Sequence, residues 1–494
     1  MHEGSPDVVW KWSMQDSRAL ALLVLLPLAV AAPQILGFLQ ADPRLWTGAM
    51  VSEYVQGPVR GWPYLDPNTG FATQALGHRA MLEWLRGVVP WWNYYSGVGL
   101  PLAAEYQPGA FFPLTAFLLL PQGLAWQHAA LQILAGAGTY GLLRQVGLVR
   151  AAALTGALLY AFDGTLAWHA HAPATAVPFL PWMLWGVERA FACARAREPI
   201  AWRLIALAMA LGLLCAFPET SYLSGLLALA WAGVRGLQLP NAAKFPYACA
   251  VTVGGFVGIG LSAPQLYSFL HFLGESYIGG HAADFAHAAF GWHALASSIA
   301  TPYLLGPPMG YAEGRILVET VWGGIGGYVT AALVPIAAYG FMRRRDALAW
   351  LLLGWCALTL GKSFGVEPIV TLMNLVPGVK LAAFYRYAPP SWELAVVILA
   401  ARGIDAVLAG SERPRIPVVV AALAGAAILS LAVFTMASLW PILGPVPGLR
   451  NSAFGSLAWA AITTALVILW IVRNDPKRMQ ALCGVLVVDA MLMT

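Results

Sequence analysis

The sequence predicts an all-α polytopic membrane protein, and three observations carry that prediction. Charged residues make up only 10% of the 494-residue chain, against about a quarter in ordinary soluble domains. Hydrophobic residues reach 59%, and the mean hydropathy is +0.68. Apolar blocks of about 20 residues recur along the whole length, each long enough to cross the hydrocarbon core as a helix. Their apolarity is continuous rather than alternating, which excludes a transmembrane barrel.

Taken in order, spans are expected near 19–39, 123–145, 151–168, 173–192, 201–217, 220–236, 246–270, 321–341, 347–361, 384–403, 416–436, 453–473 and 479–494. That is a bundle of about 11–13 transmembrane helices. Residues 1–494 read as a single transmembrane domain with no separate soluble domain. Two long connections stand out, 41–112 and 272–320. Placing the N-terminus in the cytoplasm puts most of the 28 Lys and Arg residues on the cytoplasmic side, among them Arg144, Arg150, Arg195, Arg203 and the run Arg343-Arg344-Arg345. That is the positive-inside pattern, so both long loops face outward. Every histidine except His2 then lies in an outer loop or an outer helix half.

The cytoplasmic connections are short and basic and leave no room for a nucleotide-binding domain. No phosphate-binding glycine loop occurs in a strand-to-helix setting, which argues against an ATP-driven pump. The long loops have no counterparts half a chain away, unlike the repeats of many secondary transporters. The five cysteines stand singly and imply neither a disulfide framework nor a zinc site.

The first outer loop carries the densest chemistry. Asp66-Pro67 opens a helix of about 20 residues whose Phe71, Ala75, Leu82 and Leu85 share one face. Glu83 is within one turn of Arg79 and Arg86. Such a helix lies on the membrane surface, apolar side down, with Trp84, Trp91 and Trp92 at the interface. Asp66 suits a helix cap; beside a hydrophobic wall it equally suits a general base. Arg60 and Arg79 are placed to attract an anionic donor. Asp163, with His169 and His171 close behind, fits a divalent metal (Mg or Mn) or a hydroxyl-bearing substrate, and also a plain polar turn. Glu219 reads as a tight outer turn capping the next helix. Arg386 and Lys380 enter a span from outside, where cations hold a lipid phosphate or snorkel to the interface.

The loop reads Asp66, then Gly87-Val88-Val89-Pro90-Trp91-Trp92-Asn93, Gly99-Leu100-Pro101-Leu102, and Gln107-Pro108-Gly109-Ala110-Phe111-Phe112-Pro113. It is followed in order by LSAPQLYSFLHFLGES (261–276), TPYLLGPPMG (301–310), VWGGIGGYVTAALVPIAA (321–338) and LVPGVKLAAFYRYAPPSWELAVVILAARGID (375–405). Over roughly 60–410 this resembles the bacterial YfhO-like membrane proteins of the GT-C glycosyltransferase superfamily. Two positions depart from that pattern: Phe217-Pro218 stands where the family has His-Pro, and Trp392 where it has a second arginine. The resemblance implies an inverting glycosyltransferase (hexosyl- or pentosyltransferase class) of the bacterial cytoplasmic (inner) membrane, working on its outer face. A polyprenyl-phosphate-linked sugar would be the donor, and a lipid, glycan or protein the acceptor. It makes Asp66 the catalytic base and gives the donor phosphate to Arg386 and Lys380. Asp163, His169, His171, Glu219, Gln107, Tyr106 and Arg79 fall on the substrate side, with Asp163 and His169 as the metal ligands if one is used. A flippase of a lipid-linked saccharide, or a non-catalytic assembly subunit of the same fold, would share much of this pattern.

Overall fold

The computed structural model describes residues 9–10, 12–39, 69–168, 172–276, 285–291, 329–410, 414–445, 447–473 and 476–491. The protein is an all-α polytopic membrane protein, its described strands being a two-residue pair. Contacts divide it into two compact units: Asp7–Gly138 with His169–Ala282, and Met1–Pro6 with Thr139–Trp168 and Ala283–Thr494.

In the first of these units, α1 (Met14–Ile35) starts at a capping box in which Ser13 and Asp16 satisfy each other's backbone N–H groups. The first loop enters the described residues as a π-helical stretch, Thr69–Leu76, that runs directly into α2 (Gly77–Leu85). β1 (Trp92–Asn93) and β2 (Leu100–Pro101) pair antiparallel, and a 3-10 turn (Pro113–Leu119) leads to α3 (Gly123–Gln145), inside which the unit boundary falls. The face of the loop helix that packs on the protein is another than the one expected to lie on the membrane. Ala80 and Met81 are buried against Leu102, Ala103 and Ala110, while Leu85 is exposed. The π turn advances by more than 3.6 residues, so a wheel drawn at α-helical pitch loses register across it. The Glu83 pairing holds: its carboxylate takes Arg79 and, at 3.4 Å, Arg86.

The rest of this unit is α6 (Phe179–Ala196), α7 (Arg203–Leu214), α8 (Pro218–Gln238), α9 (Asn241–Leu261) and α10 (Ala263–Leu273). Helix α7 packs on both α6 and α9, and α8 packs on α6. The elbow between α7 and α8 lies at Cys215–Phe217, where Pro218 takes the first helical turn.

The other unit holds α4 (Arg150–Ala161), α5 (Gly164–Trp168), α11 (Leu333–Arg343), α12 (Ala347–Ser363), α13 (Glu367–Met373), α14 (Phe384–Tyr387), α15 (Pro389–Leu408), α16 (Arg415–Leu443), α17 (Pro447–Arg473) and α18 (Pro476–Met491). Helix α15 is its axis, packed by α4, α11, α12 and α18. The crossing of α11 and α15 is close because it is built on glycine. A Cβ on Gly340 would sit 2.0 Å from the Leu399 carbonyl, and one on Gly403 2.4 Å from that of Ile336.

Among the described residues, four helices are long and apolar enough to cross a membrane: Met14–Ile35, Asn241–Leu261, Arg415–Pro441 and Ala453–Arg473. The pair α12 and α13, bent by 104°, makes a fifth if taken as one span. The sequence reading counts more spans because it includes blocks that are shorter, interrupted or charged. The block 151–168 is broken, because Asp163 accepts the Leu166 N–H at 2.8 Å and starts a new helix. Other blocks are helical but carry charge, as α6 does with Glu188 and α15 with Glu393 and Arg402, all buried against neighbouring helices.

Candidate functional site

The close of the first loop, residues 102–112, is tied down at four points. The Tyr106 hydroxyl donates to the Leu213 carbonyl, and its ring meets Phe269 edge-on at 4.9 Å. Gln265 Nε2 donates to the Ala103 carbonyl. Phe112 packs edge-on against Phe179 at 5.9 Å. A Cβ on Gly109, which sits at φ +58°, would lie 3.7 Å from Ala216 of the elbow. From the other side, the Ala216 N–H donates to Thr175 Oγ1 at 3.1 Å. Loop, elbow, the 172–176 turn and α10 thus meet at one end of the helices.

Directly beside that junction is a cavity of about 450 Å³ walled by α6, α7, α8 and α9. Its lining is almost wholly apolar, with Phe179, Met183, Val187, Ile205, Met209 and Leu229 among the residues. Its hydroxyl-bearing residues, Ser221, Tyr222 and Ser224, come from the first two turns of α8, next to the elbow. The hydroxyls of Thr220 and Ser224 are buried with no protein partner, as is Gln265 Oε1. A greasy cavity with the unpartnered Ser224 hydroxyl in its wall suits a ligand with a hydrocarbon chain and an oxygen-bearing head.

Of the residues singled out in the sequence, the structure brings Tyr106, Gln107 and Glu219 to this junction. Tyr106 is buried, and burial pushes its phenol well up from the ordinary value. Glu219 lies in the first turn of α8, whose N-cap is Phe217, so it is not the cap expected of it. Glu105, beside Tyr106, has its carboxyl raised by burial. Arg79 is committed to Glu83 and stacks 4.1 Å over the Tyr95 ring. Hydrogen bonding to Arg79 and Arg86 holds the Tyr95 phenol below its usual value.

The other unit buries Asp163 beside a partner that the sequence reading missed. Asp163 is within hydrogen-bonding reach of Glu393, whose Oε2 accepts the Thr165 hydroxyl at 2.8 Å. Both carboxyl groups are buried. A proton shared between two buried carboxyls offsets the repulsion of two like charges. Among the described residues no group of three or more His, Cys, Asp or Glu could hold a metal, and His169, the other ligand expected, lies outside them. A lone Glu inside the apolar block 384–403 was the available signal for Glu393.

Lys362, also missed, is buried at the end of α12. It donates to the Ala286 carbonyl and, at 2.8 Å, to Asn374 Oδ1. Phe290 follows, its N–H on the Ser363 carbonyl at 2.8 Å and its ring 5.0 Å from Tyr385. Arg386 on α14 is half-buried beside the Tyr387 ring, and Lys380 is exposed. Asp66, Arg60, His169 and His171 lie outside the described residues.

No protein family and no curated protein matches the chain. Among solved structures it is similar to the cryo-EM structure of the arabinofuranosyltransferase AftD from Mycobacteria, at 15% identity and a TM-score of 0.47. The match covers 88% of this chain and 27% of that one, so the chain spans about a quarter of the length of the protein it resembles.

Proposed function

We propose that the protein is a membrane glycosyltransferase that moves a sugar from a polyprenyl-phosphate donor to an acceptor on the outer face, with inversion. The observation that supports this reading is the apolar cavity of about 450 Å³ ending at the loop–elbow junction. An isoprenoid chain lies in the cavity. Asp66 removes the proton from the acceptor hydroxyl as it attacks the anomeric carbon. Arg386 and Lys380 offset the charge that gathers on the departing phosphate. These three roles rest on the resemblance of the loop and of 375–405 to the YfhO-like proteins.

The test is transfer from polyprenyl-phosphate sugars by the reconstituted protein. Gly225 lines the cavity, and a Cβ placed on it meets nothing within 4 Å. Gly225→Trp is therefore expected to fill the channel and lower donor binding by about tenfold or more, the effect of losing roughly 1.4 kcal/mol. Asp66→Asn is expected to abolish turnover while leaving donor binding intact. Absence of transfer with every donor, together with donor binding indifferent to Gly225→Trp, would overturn the reading.

A further inference from the structure

Residues 87–101 contain no charged side chain and no histidine, yet most of them are exposed. They form the β1–β2 hairpin, in register Trp92 to Pro101 and Asn93 to Leu100. The polar side chains of Asn93 and Ser96 are spent within it. Asn93 Nδ2 donates to Ser96 Oγ at 2.8 Å, the Tyr95 N–H donates to Asn93 Oδ1 at 3.1 Å, and the Gly99 N–H donates to the Ser96 carbonyl at 2.8 Å. Gly99 packs closely on β1. Gly99 sits at φ +99°, and a Cβ there would lie 2.1 Å from Trp92 Nε1.

What points outward is apolar. Val98 at the tip is fully exposed, Tyr94 and Tyr95 are 72% and 70% exposed, and Leu85 at the end of α2 is 71% exposed. Val88, Trp91, Trp92 and Leu100 are exposed between them. A patch of this kind marks an interaction surface. Arg86, 57% exposed, flanks it, with Arg79 beside it over the Tyr95 ring.

We propose that this hairpin is seated in the headgroup layer of the bilayer, Val98 foremost, with Arg86 toward lipid phosphate. Tyr and Trp favour that layer because their rings are apolar and their N–H and O–H groups need water. The unpaired backbone groups of a two-residue hairpin tolerate the headgroup layer but not the hydrocarbon core. The cationic rim complements lipid phosphates. A glycan platform fits less well, because Leu85, Val88, Val98 and Leu100 offer a sugar neither a ring face nor a hydrogen bond. The proposal rests on the membrane character of the chain and not on glycosyl transfer, so either can fail without the other.

The test places a nitroxide at Val98→Cys in the full chain with Cys249→Ser, the other four native cysteines being buried. The protein is reconstituted into phosphatidylcholine–phosphatidylglycerol vesicles. Collision with oxygen is then compared with collision with a water-soluble nickel chelate. The expected result is oxygen accessibility above nickel accessibility, repeated for a second label at Leu85→Cys. Nickel dominating at position 98 would overturn the proposal by putting the tip in water. Shielding from both reagents would overturn it by showing a protein partner, a second copy included. Neither substitution threatens folding, since both side chains stand free of the core.

Discussion

Asp346 does two jobs with one carboxylate. Its Oδ1 accepts the Ala349 N–H at 2.8 Å, capping α12, and pairs with Arg402 at 2.9 Å, while Oδ2 takes Arg344 at 2.9 Å. Burial works against its ionisation, but the charge and hydrogen bond of Arg402, the Ala349 N–H and the charge of Arg344 outweigh it. The carboxyl is held below its ordinary 3.8. A lowered native pKa means that the unfolded chain binds more protons in that window. The contribution is therefore whole above about pH 4 and is lost as pH falls through the lowered value. Asp346→Asn keeps a capping oxygen and removes the charge, leaving buried Arg402 unneutralised. About 1–3 kcal/mol of stability should go at pH 7, less than for a fully buried pair because Asp346 is partly solvated. Thermal unfolding in detergent should show the difference from wild type shrinking as the pH falls through the lowered value. The motif Arg345-Asp346 before an apolar run was readable as a cap, but the pairing with Arg402, 56 residues on, was not. Glu188 was hidden in the same way, because beside Arg189 it reads as interfacial polarity.

That glutamate clips two elements together. Arg235 of α8 meets Glu188 of α6 through Nε at 2.6 Å and Nη2 at 2.7 Å, and the Trp231 indole N–H also donates to it. The guanidinium lies 4.6 Å over the Phe191 ring. All four side chains are buried, so the pair joins two walls of the apolar cavity. Breaking one side should be worse than removing both. Arg235→Met strands a buried carboxylate and should cost about 3–5 kcal/mol, whereas Glu188→Leu with Arg235→Met should recover most of that. Melting temperatures of the three proteins in one detergent decide it; equal losses in the single and double variants would show that packing, not charge, holds the helices. Helices were the most legible elements: the blocks at 123–145, 220–236 and 453–473 lie within or on observed helices. Breaks were less legible, because Asp163 interrupts an apolar block without a proline and the π turn at Thr69–Leu76 changes pitch without a marker residue.

Within the unit holding Ala283–Thr494, charge is sorted by end. The Val149 N–H donates to Asp405 at 2.8 Å, joining the α3–α4 turn to the end of α15, and Asp346 brings the α11–α12 turn to the same place. Arg144, Arg150, Arg343, Arg344, Arg345 and Arg402 therefore gather at one end. Thr165 and Glu393 meet at the other, where α12 delivers Lys362 and α14 carries Arg386. The charge count in the sequence made the same division, because connection length and Arg placement survive without any contact being known. The carboxyl pair and the buried lysine did not, since each depends on residues that meet only when helices distant in sequence pack. By the positive-inside rule the arginine end is expected to be cytoplasmic, and the expectation can be tested directly. Arg345 and Lys380 are both exposed, so cysteines there leave packing untouched. With Cys249→Ser removing the half-buried native thiol, a membrane-impermeant maleimide applied to spheroplasts should modify Lys380→Cys at once. Arg345→Cys should react only after permeabilisation. The reverse order would invert the protein in the membrane and move the Lys362, Arg386 and Glu393 end, with the donor-phosphate role given to Arg386, to the cytoplasmic face. Modification of both in intact spheroplasts would mean that the two ends do not lie on opposite sides of the bilayer, and the charge sorting would lose its meaning.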